Sequence, residues 1–177
     1  MKRLYKSLAI VLAIVFTAPA HAEGSLLDRA YSTLDTFAQT LSTPLFTYKD
    51  TECLARNIYY EAANEPEEGM VAVGLVTINR VNDPRYPKTL CGVVQQRTTF
   101  NQMIVCQFSW TCTKVRKPKE DDPRWQKAVY VAERLSYGEY EEWREKYAKS
   151  FHFHAVHVNP GWKLKRIGRV GGHVFYH

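Results

Sequence analysis

The apolar positions fall into segments of different period. Leu8 to Phe16 is an unbroken apolar run, behind a basic start from Lys2 to Lys6 and ahead of Ala20-His21-Ala22. Leu26, Leu27, Ala30, Leu34, Phe37 and Leu41 then recur at helical spacing. They predict a leading helix that Ser42-Thr43-Pro44 interrupts. A clearer helix follows, capped by Asp50 or Thr51 and running to Ala62. Asn64-Glu65-Pro66-Glu67 reads as a second start, with Asn64 as the cap, a proline in the first turn and a glutamate three residues on. From Gly69 to Val81 the chain is apolar almost all round. Its β-branched residues also allow a strand, but its length and start signal favour a buried helix, ended by Asn82-Asp83-Pro84.

Later segments are shorter. Leu90 to Gln95 predicts a short helix, and Gln107-Phe108-Ser109-Trp110 a constrained loop or short strand. Lys114 to Asp122 is charged and reads as an exposed loop. Arg124 to Leu135 is an amphipathic helix with Trp125, Ala128, Val129, Ala132 and Leu135 inward, ended at Gly138. Phe151 to Val156 alternates as a strand does, and Val174-Phe175-Tyr176 can pair with it. The sum is an α+β fold, mainly helical, in a single domain with a small β element.

A basic start, a short apolar run and a small-x-small site make a secretory signal peptide over 1–22. The run is shorter than the roughly 20 residues of a spanning helix. Residues 23–49 are then an accessory helix or tether, and 50–177 the main domain, which carries the candidate catalytic chemistry described below. Export to the periplasm or the cell exterior follows, with no stable membrane association after cleavage. The formal charge is +6, reduced to a mild positive bias once Lys2, Arg3 and Lys6 leave with the leader. That suits an anionic polymer and is too weak to argue for nucleic acid. Export also exposes Cys53, Cys91, Cys106 and Cys112 to oxidation. Two disulfides are expected. Three pairings are open, with Cys106–Cys112 and Cys53–Cys91 taken first because the former closes a small loop. The cysteine spacing fits no zinc motif, and neither a metal nor a cofactor is expected.

One carboxyl stands out. Helical rotation of about 100° per residue puts Leu54, Ile58 and Glu61 on one stripe. Glu61 follows its apolar neighbours inward, loses hydration and has its pKa raised. Such an acid can protonate a glycosidic oxygen. Asp50, Glu52, Glu65, Glu67 and Glu68 offer no evident second carboxylate, and the last three suit the start of the second helix. His152, His154, His157, His173 and His177 raise a zinc amidase, but no H-E-x-x-H is present. Trp110 and Trp162, in loop-like contexts, can present flat faces to sugars.

The stretch Cys53-Leu54-Ala55-Arg56-Asn57-Ile58-Tyr59-Tyr60-Glu61-Ala62 resembles the signature of the SleB-type cell wall hydrolases, the spore-cortex-lytic enzyme family. The likeness continues through Glu65-Pro66, Asn79-Arg80-Val81 and Cys91-Gly92-Val93-Val94. It resumes in Cys106-Gln107-Phe108-Ser109-Trp110-Thr111-Cys112 and ends in His154, Val158-Asn159-Pro160, Trp162 and His173-Val174-Phe175-Tyr176. The resemblance implies a lysozyme-like domain that cuts peptidoglycan glycan strands, with Glu61 as the one essential acid/base. It implies a lytic transglycosylase that forms 1,6-anhydro-N-acetylmuramic acid and needs no second carboxylate. Gln107, Ser109, His154 and Asn159 are then expected to bond substrate, and Trp110 and Trp162 to stack on sugars. A muramidase-type hydrolase and a non-catalytic wall-binding module are the alternatives. Ala63-Asn64 stand where the family often has Arg-Gly between Ala and Glu-Pro, which bears on substrate preference.

Overall fold

The computed structural model describes residues 29, 31–34 and 44–177. The expected signal peptide and most of the leading helix lie outside the described residues. The chain divides into Met1–Ser42 and Thr43–His177. In the first unit, residues 29 and 31–34 are helical and exposed.

The second unit opens with residues that belong to its packing. Leu45 N–H donates to Ser136 O at 2.6 Å, and Phe46 lies against the core. Helix α1 spans Tyr48–Ala62. Its cap is Thr47, ahead of the expected Asp50 or Thr51. The Thr47 side chain accepts from Asp50 N–H at 3.1 Å, and its hydroxyl donates to the Asp50 carboxylate at 3.0 Å. The first bond satisfies a free N–H of the opening turn, and the Asp50 carboxylate steadies the capping hydroxyl.

Helix α2 spans Glu67–Asn82. Pro66 holds the cap position without a side-chain bond, so Asn64 is not the cap. Met70 through Ile78 are almost wholly removed from water, as an all-round apolar pattern requires. Burial of each large side chain contributes about 2 kcal/mol. Gly74 permits the closest packing. A Cβ there would sit 2.6 Å from Leu135 Cδ1 and 3.1 Å from Ile58 Cδ1. Helix α2 is therefore wedged against α1 and α4 at that point. Helix α3 is Leu90–Val94, α4 is Pro123–Ser136 and α5 is Glu141–Tyr147. Asp122 caps α4 through Arg124 N–H and also receives the Tyr59 hydroxyl at 2.8 Å.

Two small antiparallel sheets complete the unit. The first is a hairpin, β1 (Arg97–Phe100) with β2 (Met103–Cys106). Its two-residue turn puts Asn101 at φ 47° and Gln102 at φ 63°, the mirror-image turn that matches strand twist. The second has the order β3–β5–β4, with β3 at His152–Ala155, β4 at Arg166–Val170 and β5 at His173–Tyr176. The expected pairing of the segments around 152 and 175 is present, with His152 opposite Tyr176. Gln107 to Trp110 is the constrained loop of the two alternatives, closed between Cys106 and Cys112, and not a strand. It leads into a 3₁₀ turn, Ser109–Cys112. The cysteines pair as Cys53–Cys91 and Cys106–Cys112.

The β4–β5 turn meets the start of α2. Gly172 N–H donates to Glu65 at 2.7 Å. Gly171 has φ +52°, and a Cβ there would strike the Glu65 carboxylate. Glu65 thus holds the sheet rather than the helix end. Gly171→Ala should cost about 2 kcal/mol, from the left-handed backbone and the clash together. Glu65→Ala in the same chain should recover the steric share. Urea unfolding of the two single variants and the double variant measures this, and strictly additive losses would sink it.

Candidate active site

Glu61 is the penultimate residue of α1. Leu54 and Ile58, fully buried on the same stripe, carry it inward, and it is itself half-buried. Lost hydration raises its pKa to about 7, and the Arg80 charge opposes that rise. Neither a hydrogen bond nor another carboxylate contributes to the shift.

Arg80 is a buried cation in an apolar helix, 3% exposed. Its Nε and Nη2 donate to Phe151 O at 2.9 and 2.6 Å. Its guanidinium lies 5.5 Å from the centre of the Tyr86 ring and 5.3 Å from that of Phe108. Nη1 is left without a partner. Burial lowers its pKa to about 10, so it remains charged at neutral pH. Arg80 also acts on His152, whose pKa is lowered chiefly by burial. Next to it on α2, Asn79 Nδ2 donates to Tyr147 O at 2.7 Å and Ser150 O at 3.0 Å. These two α2 side chains fix the chain where it enters β3.

Asn57 is the other buried polar group on α1. Its Nδ2 donates to Thr77 at 3.1 Å, and its Oδ1 receives Trp110 Nε1–H at 3.0 Å. The Trp110 ring stacks on Tyr60, with centroids 4.4 Å apart. Trp110 is thereby fastened one residue from Glu61. Gln107 and Ser109 are exposed on the same segment.

The other expected site residues gather on the second sheet. His154 lies flat on Tyr176 and meets its hydroxyl at 3.0 Å through Nε2. Trp162, 42% exposed, sets its edge to His152, His154 and Tyr176 at 5.5 to 5.9 Å. Asn159 is exposed, and its side chain accepts from Gly161 N–H at 3.2 Å. His173 is buried with Nδ1 3.8 Å from Glu65. That is too long for a hydrogen bond, and burial depresses the imidazole pKa, so it is neutral at pH 7. Expected residues therefore form two groups, one around Trp110 and one around Trp162. Arg80 and Asn57 were not expected. The available signals were a lone charge in an apolar helix and an amide on the buried stripe of α1.

A model of the cell wall hydrolase family matches residues 64–176. The match starts three residues after Glu61, so it takes in Arg80, Trp110 and both sheets. The spore cortex-lytic enzyme of Oceanobacillus iheyensis is 27% identical over 132 residues, 73% of this chain and 42% of that protein. The chain spans less than half the length of the curated relatives it matches. The fold is similar to the catalytic domain of the Bacillus cereus SleB protein, with TM-score 0.53 and 21% identity over 75% of this chain and 92% of that one. It is also similar to the catalytic domain of the germination-specific lytic transglycosylase SleB from Bacillus anthracis. There the TM-score is 0.50 and the identity 23%, over 75% of this chain and 97% of that one. The chain belongs to the cell wall hydrolase family.

Proposed function

We propose that this chain cleaves peptidoglycan glycan strands between N-acetylmuramic acid and N-acetylglucosamine, as a lytic transglycosylase with Glu61 as acid and then base. The observation that carries the reading is one desolvated carboxyl with a pKa of about 7 and no carboxylate acting on it. Such a group is protonated in a large fraction of molecules near neutral pH. Its proton passes to the bridging oxygen, and the bond from that oxygen to the muramic acid C1 breaks. The muramic acid 6-hydroxyl oxygen then bonds to C1, and its proton returns to the Glu61 carboxylate. The products are a 1,6-anhydro-muramic end and a free N-acetylglucosamine 4-hydroxyl, with no water consumed. Arg80 offsets part of the charge that Glu61 acquires midway.

Trp110 and Trp162 offer faces for sugar rings, and Gln107, Ser109, His154 and Asn159 offer polar contacts along the strand. Export to the periplasm or the cell exterior fits the leader and the two disulfides. No described helix is long and apolar enough to cross a membrane. Digestion of purified peptidoglycan followed by mass spectrometry tests the reading. Anhydro-muramic ends are expected. Reducing muramic ends would show a hydrolase, and bound wall without fragments a binding module.

Arg80→Met removes the cation that holds down the Glu61 pKa. Because cleavage starts from protonated Glu61, the alkaline limb of kcat/KM should move to higher pH. The fold should lose roughly 3 kcal/mol as Phe151 O loses its donors. An unmoved limb in a folded variant would remove Arg80 from the chemistry.

A further inference from the structure

A cavity of about 610 Å³ lies beside α1 on a face other than that of Glu61. Lys49, Cys53 and Arg56 from α1, Arg97 from β1, and Trp110 and Val115 wall it. Cys53–Cys91 and Cys106–Cys112 tie together the segments that form the walls. Arg97 is held by a bond from Nη2 to Thr111 O at 3.2 Å. The Tyr60 hydroxyl donates to Arg116 O at 2.7 Å and holds the loop at the rim.

The charge around this cavity is one-sided. Glu52 is the only acid on its wall, and it is bonded to Arg56 at 2.6 Å. The loop that continues from the wall adds Lys114, Arg116, Lys117 and Lys119, all exposed, before the first acid at Glu120. Among the described residues, none of those four, nor Lys49 or Arg97, takes part in an ion pair. Unpaired positive charge is therefore concentrated in and beside this recess, with Lys49 and Arg97 on its wall and the other four on the loop that leaves it.

We propose that this cavity is a carboxylate-binding subsite for the peptide arm of the wall polymer, seated beside the glycan strand at Glu61. The proposal rests on the peptidoglycan reading above. Peptide arms branch from muramic acid, the sugar cut at Glu61, and carry several carboxylates. The distances are compatible. Arg56 and Glu61 are five residues apart on α1, about 8 Å along the axis. The stripe of Lys49, Cys53, Arg56 and Tyr60 is about 100° from Glu61 around it. A four-residue extended arm spans about 13 Å. Guanidinium groups bind carboxylates with two parallel bonds; Arg97 provides one unpaired guanidinium and Lys49 an unpaired ammonium, whereas Arg56 is engaged by Glu52. A walled recess with one indole face suits a short flexible arm better than a nucleic acid, which is usually tracked by an open basic groove.

The test is a calorimetric titration of the chain with the free tetrapeptide L-alanyl-γ-D-glutamyl-meso-diaminopimelyl-D-alanine. Parallel titrations use its fully amidated form and an oligodeoxynucleotide. The free acid should bind at least tenfold more tightly than the amide, and a Lys49→Gln/Arg97→Gln variant should lose that difference. Equal binding of acid and amide, an unaltered variant, or tighter binding of the oligonucleotide would overturn the proposal. Cleavage supplies the second readout. Wild-type KM should be about tenfold lower on peptide-bearing strands than on strands stripped by an amidase, and the variant should bring that ratio toward one. Absence of cleavage on both substrates would count against the transglycosylase reading alone, because the titration decides the subsite by itself.

Discussion

Glu61→Gln is expected to lower glycan cleavage by about 10³-fold or more, since the amide keeps the shape and cannot give or take the proton. Anhydro-muramic ends should vanish from the digest. In the wild type, cleavage should fall as pH rises through about 7, the Glu61 pKa, because the acid is then ionised. The same substitution should stabilise the fold. The folded pKa, about 7, lies above the ordinary value of 4.5. The folded state therefore binds this proton more tightly than the unfolded chain. The stability this supplies is complete below pH 4.5 and is lost as pH rises to about 7. The difference is about 3 kcal/mol, which Glu61→Gln does not suffer. Urea unfolding at pH 5 and pH 8 should show the variant gaining on the wild type only at the higher pH. A variant that keeps the anhydro product, or gains nothing at pH 8, would remove Glu61 from its assigned role.

The second large effect concerns the disulfides. Cys53–Cys91 closes a separation of 38 residues and Cys106–Cys112 one of 6. On loop-closure entropy the first is worth about 4 kcal/mol and the second about 2 kcal/mol. Replacing Cys53 and Cys91 by alanine should thus cost roughly twice what the other pair costs. The first pair also joins α1 to α3, where Cys91 N–H donates to Asp50 at 3.1 Å. Urea midpoints of the two double variants decide it, and equal losses would contradict the ranking. The shorter bridge lies next to Trp110, so its loss should be felt more in KM than in unfolding.

Much of the fold was legible because burial leaves a period. Helix α2 is buried on all sides and reads as apolar on all sides. Helix α4 keeps one apolar stripe, and β3 and β5 alternate. What escaped had no such imprint. The β1–β2 hairpin is exposed on both faces, with Phe100, Met103 and Ile104 all more than 60% exposed, and its turn uses Asn101-Gln102 in place of a glycine pair. Helix α5 is seven residues long with only Tyr147 buried. Strand β4 carries an irregularity between Arg166 and Gly168. The cap of α1 was displaced because Thr47, Asp50 and Thr51 could all serve, and Thr47 wins through Asp50.

At the site the division is similar. Sequence alone puts Glu61 on a helical stripe with Leu54 and Ile58, and supplies four cysteines able to pair in an oxidising setting. Local periodicity and chemistry are enough for that. What that carboxyl meets is set by packing between distant segments. Arg80 is 19 residues away in sequence, and it acts on Glu61 because α2 brings it there. Asn57 joins Thr77 to Trp110 for the same reason. Glu65, which sequence assigned to a helix start, instead holds Gly172 across 107 residues. Desolvation and charge depend on distance in space, and no period along the chain records which distant segments close over a group.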